Sequence, residues 1–229
     1  MKGPILDVFF DLDHTLWDFE KNSALTFEKI LSKNKIPVDS VRFIENYVPI
    51  NFKYWELFRE EKISKEELRY GRLKETFTMM NVTVSEDQLA ILSEEYIQFL
   101  PENNHLFEGT LELLDYLQPK YNLHIITNGF QEVQNQKINN SNLTSYFKTI
   151  TNSEMAGVKK PNPIIFEYAL QQANAQKESS IMIGDCINAD VLGAINCGIE
   201  AILFSEIPKV IENKNITQIN HLLDLKKYL

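Results

Sequence analysis

Acidic residues follow two short apolar runs in this sequence, in an arrangement suited to holding a metal ion. Asp11 and Asp13 come directly after the apolar residues 8–10, and Asp185 follows a second apolar run. An unpaired charge at the end of a buried strand is costly, so these carboxylates need compensation. Together they provide the oxygen ligands that Mg²⁺ prefers. A cation beside Asp11 keeps its carboxylate ionised, which is the state that a nucleophile requires.

Groups suited to phosphate oxygens stand at two other places in the chain. Thr127 ends another apolar run and offers a hydroxyl, and Asn128 and Gly129 follow it with backbone N–H groups. Lys160 supplies the fixed positive charge that a transferring phosphoryl group needs. The residue types therefore point to phosphoryl transfer, provided that the fold brings them together.

Short apolar runs alternate with helical patterns along the chain, and this alternation predicts a fold that would bring these residues together. Such alternation is typical of a parallel sheet with crossover helices. Asn162 followed by Pro163 predicts a capped helix start. Because ligands gather beyond the carboxyl ends of parallel strands, we expect the residues above to meet at one edge of the sheet. The predicted strands are residues 6–10, 123–127, 148–151, 180–183 and 201–204.

The interval between the first two predicted strands is too long for a simple crossover, which needs about a dozen residues. Its apolar residues recur at helical spacing, for example Phe52, Trp55 and Phe58, and they are expected to form the core of a helical domain. Ser64 and Glu67 have the spacing of a capping box. The predicted fold class is therefore α/β: a Rossmann-like parallel sheet core with an inserted all-helical cap. The predicted boundaries are 1–17 and 105–229 for the core and 18–104 for the cap.

Composition excludes several partners. The chain has 229 residues and a formal net charge of −9, which argues against binding a nucleic acid polymer. No apolar run approaches the roughly 20 residues of a membrane span. Cys186 and Cys197 are expected on one helix, about three turns apart and too distant for a disulfide. These features predict a cytoplasmic protein without a membrane partner; the oligomeric state stays open.

In chain order, the candidate catalytic, metal-binding and phosphate-binding residues resemble the four motifs of the haloacid dehalogenase superfamily of phosphohydrolases. The matching residues are Asp11-Leu12-Asp13-His14-Thr15, Thr127, Lys160-Pro161, and Gly184-Asp185 with Asp190. The insertion after the first motif resembles the helical cap of the first type in that superfamily. Members that dehalogenate carbon centres lack the second aspartate, so the presence of Asp13 favours phosphate esters.

The resemblance implies a role for each matching residue. Asp11 attacks phosphorus and forms an aspartyl-phosphate, and Asp13 protonates the leaving oxygen and later deprotonates the hydrolytic water. Asp190 supports Lys160 or a metal-bound water. The implied Mg²⁺ ligands are Asp11, the backbone carbonyl of Asp13, and Asp185. The implied phosphate contacts are Thr127, Asn128, Gly129 and Lys160.

Two segments, together with His14, resemble the nucleotidase branch that removes phosphate from pyrimidine nucleoside monophosphates, including non-standard ones. They are LWDFEKNS at residues 16–23 and NFKYWELFREEKISKEELRYGRLKETF at residues 51–77. Arg69 and Arg72 lie three apart on one helix face, which is typical of a solvated surface. His14 is expected to be structural. The positions that the resemblance implies for substrate specificity are Asn51, Trp55, Arg69 and Arg72.

Other functions fit the same motifs. A sugar-phosphate or phosphoglycolate phosphatase would use the same core, and a phosphotransferase or mutase would pass the phosphoryl group to an acceptor other than water. A non-catalytic binding protein that keeps only the fold is a third alternative. Phosphate release without an added acceptor would indicate a hydrolase and would argue against both the phosphotransferase or mutase and the non-catalytic binding protein.

Overall fold

The structure is a computed structural model that describes residues 3–210, 213 and 215–229. The chain forms two compact units, one comprising residues 1–18 and 104–229 and the other comprising residues 19–103. We refer to them as the core and the cap. Within the described residues, no helix combines the length and the apolar character needed to cross a bilayer.

The core is built on a parallel sheet in which the strand order is β3-β2-β1-β4-β5-β6. All four residues of β1 are buried, as expected for an inner strand that is covered on both faces. The five predicted strands are confirmed, whereas the short sixth strand was not predicted. The strands are β1 (Asp7–Phe10), β2 (Asn122–Thr127), β3 (Thr149–Asn152), β4 (Ser180–Gly184), β5 (Glu200–Phe204) and β6 (Thr217–Ile219).

Strand register brings the candidate residues to one edge of the sheet. Phe10 of β1 pairs with Ile125 of β2 on one side and with Ile183 of β4 on the other. The N–H group of Asp11 then donates to the carbonyl of Ile183 at 2.9 Å. The chain adds β2 and β3 on one side of β1 and then returns to add β4 on the other side. The reversal beside β1 is the switch point where open α/β sheets bind ligands.

Four helices form the cap, and side chains close the N-termini of at least three of them. The predicted capping box of Ser64 and Glu67 is confirmed, and Ser85 with Gln88 forms a second one that was not predicted. Asp39 caps another helix by accepting from the N–H of Arg42. The cap helices are α1 (Phe19–Lys33), α2 (Ser40–Arg59), α3 (Lys65–Met79) and α4 (Glu86–Phe99), followed by a 3-10 turn at Leu100–Glu102.

Aromatic side chains from all four cap helices pack together, with ring centroids of neighbouring pairs 4.4 to 6.1 Å apart. Phe27 of α1 lies 4.4 Å from Tyr47 and 4.7 Å from Tyr96. The predicted burial of Phe52 is wrong: this residue is 47% exposed. The solvated face predicted for the two arginines is wrong for Arg72, which is 3% exposed. The cap therefore has a core of its own that also contains a guanidinium group.

The core helices follow the strands as crossovers. Asn162 caps α8 through its side chain, and Pro163 is the first helical residue, as predicted. Ile165 and Ala169 of this helix pack against Phe9 and Met182 of the sheet. The helices are α5 (Thr110–Leu117), α6 (Gln131–Asn140), α7 (Ser153–Ala156), α8 (Pro163–Ala173) and α9 (Gly193–Asn196), with 3-10 turns at Thr144–Tyr146, Lys177–Ser179 and Leu222–Lys227.

The segment after β4 differs from the single helix predicted for both cysteines. It is a π-helix at Ile187–Leu192 that continues into α9. Cys186 caps the beginning of the π-helix and Cys197 the end of α9, and neither forms a disulfide in the part of the chain that the structure describes. The π-helix changes the direction in which Asp190 points, which matters for the site below.

Candidate active site

The two aspartates after β1 are separated by a tight turn. The carbonyl of Leu12 accepts the N–H groups of Leu16 and Trp17, each at 2.9 Å. His14 adopts a left-handed conformation with φ of 63° within this turn. The turn closes over a fully buried Trp17. As a result, Asp11 and Asp13 have different neighbours although they are two residues apart.

Asp11 belongs to a cluster of three carboxylates. One oxygen each from Asp11, Asp185 and Asp190 lie within 4.8 Å of one another. Asp11 and Asp190 are buried, with 7% and 1% of their surfaces exposed. Three acidic groups at this separation repel one another and need positive charge between or beside them.

Lys160 supplies part of that charge. Its Nζ lies 2.6 Å from Oδ1 of Asp11 and 2.6 Å from Oδ1 of Asp190, and it donates to the carbonyl of Ile126 at 2.7 Å. The lysine is 2% exposed. The side chain of Asn128 holds its backbone, accepting the Lys160 N–H at 2.7 Å and donating to its carbonyl at 3.0 Å. Lys160 is therefore held both at its backbone and at its ammonium group.

Burial and charge shift the proton affinities in this cluster. Burial raises the pKa of Asp11 well above its usual range; Lys160 opposes that shift, and the other two carboxylates add to it. Burial, followed by the charge of Asp190, raises the pKa of Asp185 to about 7. Burial alone would lower the pKa of Lys160, but Asp11 and Asp190 outweigh it and the pKa is raised. Lys160, together with the charge of Lys209 acting on Asp185, thus compensates the three carboxylates incompletely.

The π-helix positions Asp190 against both Lys160 and the backbone. Its Oδ2 accepts the N–H of Cys186 at 3.0 Å. A Cβ atom at Gly184 would lie 2.4 Å from the Asp190 side chain, so only glycine allows this approach. Gly184 is thus required for the shape of the site rather than for a turn.

Thr127 is arranged as a hydrogen-bond donor. Its Oγ1 accepts the N–H of Gly129 at 3.1 Å and the side-chain amide of Gln134 at 2.7 Å. Because both lone pairs of the hydroxyl are used by these donors, its own hydrogen is directed elsewhere. The side chain of Asn128, by contrast, is used to hold Lys160.

Asp13 makes contacts that sequence reasoning did not identify. Its Oδ1 lies 2.6 Å from Nζ of Lys137, and its Oδ2 accepts the side-chain amide of Gln134 at 2.9 Å. The Asp13 carboxylate is therefore separate from the acidic cluster, and only its backbone carbonyl was expected to bind metal. Gln134 and Lys137 lie three residues apart on α6, a helix of mainly polar residues in which no residue pattern distinguishes these two.

The donor set fits a hard divalent cation. Asp11, Asp185 and Asp190 offer carboxylate oxygens, with an excess of negative charge that Lys160 does not cancel. Mg²⁺ is bound in proteins by one or two carboxylates together with substrate phosphate and water. The residues present therefore fit the metal that the motifs imply.

The four candidate specificity residues of the cap differ in their surroundings. Arg72 donates from Nη1 to Oδ1 of Asn51 at 2.7 Å, and its Nε is buried without a hydrogen-bond partner among the described residues. Arg69 pairs with the exposed carboxylate of Glu94 at 3.0 Å. Trp55 is half-buried, with its ring 5.7 Å from that of Phe58.

Comparison with known proteins agrees with this geometry. A family model described as haloacid dehalogenase-like hydrolase matches residues 8–204. The pyrimidine 5'-nucleotidase PynA of Streptococcus pneumoniae is 32% identical over 213 residues, covering 92% of this chain and 87% of that protein. The pyrimidine 5'-nucleotidase YjjG of Escherichia coli is 31% identical over 193 residues, covering 84% of this chain and 82% of that protein.

A solved structure is also similar over nearly the whole chain. The crystal structure of the putative HAD-hydrolase YfnB from Bacillus subtilis, bound to magnesium, superposes with a TM-score of 0.89 and 27% identity. The alignment covers 99% of each chain. The family match runs from β1, which precedes Asp11, to the end of β5, and so includes every core residue of the site. The chain is therefore an enzyme of the haloacid dehalogenase-like hydrolase family.

Proposed function

We propose that the protein is a Mg²⁺-dependent phosphomonoester hydrolase that forms an aspartyl-phosphate on Asp11, and that pyrimidine nucleoside monophosphates are its substrates. The observation that carries the proposal is the fixed Lys160 ammonium, 2.6 Å from Asp11 at the carboxyl end of β1. It stabilises Asp11 as a carboxylate and lies where phosphoryl oxygens would need positive charge. The names of two relatives, PynA and YjjG, support the choice of substrate.

In the first step, a carboxylate oxygen of Asp11 attacks phosphorus and the bond from phosphorus to the ester oxygen breaks. Asp13, in its protonated form, gives its proton to the leaving oxygen, so the nucleoside departs as a neutral alcohol. Thr127 donates its hydroxyl hydrogen to a phosphoryl oxygen, and Lys160 balances the charge that develops there. The product of this step is the acyl phosphate on Asp11.

In the second step, water attacks the same phosphorus atom and the bond to Asp11 breaks. Asp13 takes a proton from the water, which returns it to its starting protonation state, and inorganic phosphate leaves. Asp11, Asp185 and the backbone carbonyl of Asp13 would hold Mg²⁺, which would supply further positive charge for the phosphoryl oxygens. Asp190 keeps Lys160 in place through both steps.

We assign substrate choice to Asn51, Trp55, Arg69 and Arg72 of the cap. Arg72 supports this assignment best, because a buried guanidinium with an unpartnered Nε has hydrogen-bonding capacity to spare. Trp55 offers an aromatic surface for a base. Cys186 and Cys197 form no disulfide among the described residues, which fits the cytoplasm, where we propose that the enzyme works.

The direct test is phosphate release from a panel of nucleoside monophosphates, sugar phosphates and phosphoglycolate, with Mg²⁺ or with EDTA and without an added acceptor. The proposal requires release from pyrimidine nucleotides that EDTA abolishes and that the Asp11→Asn variant lacks. Faster turnover of sugar phosphates or phosphoglycolate than of every nucleotide would refute the substrate assignment. No release from any ester by the folded protein would refute hydrolysis.

A second experiment tests the cap separately. Arg72→Met is compared with Lys53→Met, which removes an exposed lysine that pairs with Glu75 at 2.8 Å. We expect the ratio of kcat/KM for UMP to that for glucose 6-phosphate to fall in Arg72→Met and to stay constant in Lys53→Met. An equal loss for both substrates in Arg72→Met would show that this arginine serves cap folding and not specificity.

A further inference from the structure

Two buried residues of α6 hold both carboxylate oxygens of Asp13. Nζ of Lys137 lies 2.6 Å from Oδ1, and the Nε2 group of Gln134 donates to Oδ2 at 2.9 Å. The two side chains lie on the same face of α6 because they are three residues apart. Lys137 is 2% exposed and Gln134 is 1% exposed.

The surroundings of Lys137 show that it is built into this position. Its Nζ lies over the ring of the fully buried Trp17, 4.2 Å from the centroid. Burying an ammonium group costs free energy unless it is paired and hydrogen-bonded. The Asp13 side chain is 20% exposed, so the lysine is the more deeply buried partner of the pair. A lysine that served only solubility would lie on the solvent face of α6.

Gln134 connects Asp13 to the phosphate-contacting threonine. The same Nε2 that donates to Asp13 also donates to Oγ1 of Thr127 at 2.7 Å. Its Oε1 is buried and has no hydrogen-bond partner among the described residues. An unpaired buried carbonyl is unfavourable. The orientation of the Gln134 amide is therefore set by the two hydrogen bonds that its Nε2 donates, to Asp13 and to Thr127.

We propose that Lys137 and Gln134 are positioning residues that fix the carboxylate of Asp13 toward the leaving oxygen of the substrate. This inference rests on the proposed function, in which Asp13 transfers the proton. Without them the Asp13 side chain samples other rotamers, and proton transfer loses the geometry on which its rate depends. Neither residue needs to touch the substrate.

The test uses leaving groups that differ in their need for a proton. For a series from p-nitrophenyl phosphate through phenyl phosphate to UMP, kcat/KM is measured for wild type, Lys137→Met, Lys137→Arg and Asp13→Asn. Methionine keeps the length and the apolar contact with Trp17. Lys226→Met is the control, since that lysine pairs with Glu112 on the surface.

We expect Lys137→Met to reduce kcat/KM about 10²-fold for UMP and less than about 10-fold for the nitrophenyl ester, since general acid catalysis contributes about 10² to 10⁴. Lys137→Arg is expected to recover part of the loss. In an Asp13→Asn background, Lys137→Met is expected to have no further effect, because coupled residues are not additive. Gly129→Ala, whose Cβ would lie 2.4 Å from the Gln134 amide, is expected to show the same dependence on leaving group.

Three results would overturn the inference. An equal loss for all leaving groups would assign Lys137 a structural role. A full further loss in the Asp13→Asn background would mean that Lys137 binds the phosphoryl group directly. Wild-type turnover in Lys137→Met would show that it has no role. These outcomes differ from failure of the proposed function, in which wild-type protein itself releases no phosphate.

Discussion

Replacing Lys160 by methionine is the perturbation whose consequences the structure defines most fully. It removes an ammonium group that contacts Asp11 and Asp190 at 2.6 Å each, and it leaves three buried or half-buried carboxylates facing one another. Removing one partner of a buried ion pair costs about 3–5 kcal/mol. For a chain of this size that corresponds to a fall in Tm of about 6–20 °C. Loss of one transition-state donor lowers kcat by about 10² to 10³.

Thermal melting, monitored by circular dichroism, measures the loss of stability, and phosphate release from UMP measures the loss of kcat. We expect Mg²⁺ to raise the Tm of Lys160→Met by more than it raises that of wild type, because a cation between the carboxylates replaces part of the lost charge. Lys226→Met serves as the control for loss of one lysine. A wild-type Tm in the absence of metal, together with wild-type turnover, would refute the assignment of Lys160 as the charge that holds the cluster.

The remaining predictions concern protons, packing and backbone contacts in the same site. Because the pKa of Asp185 is raised to about 7, Mg²⁺ affinity measured by calorimetry should weaken as the pH falls below that value. The metal-free protein should also lose stability as the pH rises toward about 7, since the folded state holds a proton that the unfolded chain has released, and melts of Asp185→Asn in EDTA should lack this dependence. Gly184→Ala should displace Asp190 and lower Tm and kcat, at a packing cost of about 1–3 kcal/mol, whereas Gly3→Ala, which meets nothing within 4 Å, should behave as wild type. Asn128→Ala should reduce kcat/KM by up to about 30-fold, because it removes two hydrogen bonds of about 1 kcal/mol each from the lysine backbone. Stopped-flow phosphate release would measure the change, and an unchanged value would show that the lysine is positioned without these bonds.

The central residues of the site could be predicted from sequence because they directly follow strands. The apolar runs predict β1, β2 and β4. Because the carboxyl ends of parallel strands lie at the same edge of a sheet, the polar residues that follow these runs are expected at that edge. Asp11 and Asp185 were placed together by this reasoning, and the structure brings them into one cluster. Local rules also sufficed for the Ser64 capping box and for the start of α8.

Features that depend on side-chain direction could not be predicted in this way. Gln134 and Lys137 lie on a helix of mainly polar residues, where polar side chains ordinarily indicate solvent. Their burial follows from where α6 lies beside the turn after β1, which no local pattern encodes. The π-helix that directs Asp190 toward Lys160 was likewise missed, because one extra residue in a helical turn leaves little trace in residue spacing.

Chemical trapping tests most directly whether Asp11 carries the phosphoryl group. The enzyme is mixed with UMP and Mg²⁺, quenched during turnover and reduced with borohydride, which converts an aspartyl-phosphate to homoserine. Peptide mass spectrometry then locates the modified residue, with protein that was not given substrate as the control. We predict homoserine at position 11 only. Modification at another residue, or turnover without modification of Asp11, would contradict the mechanism.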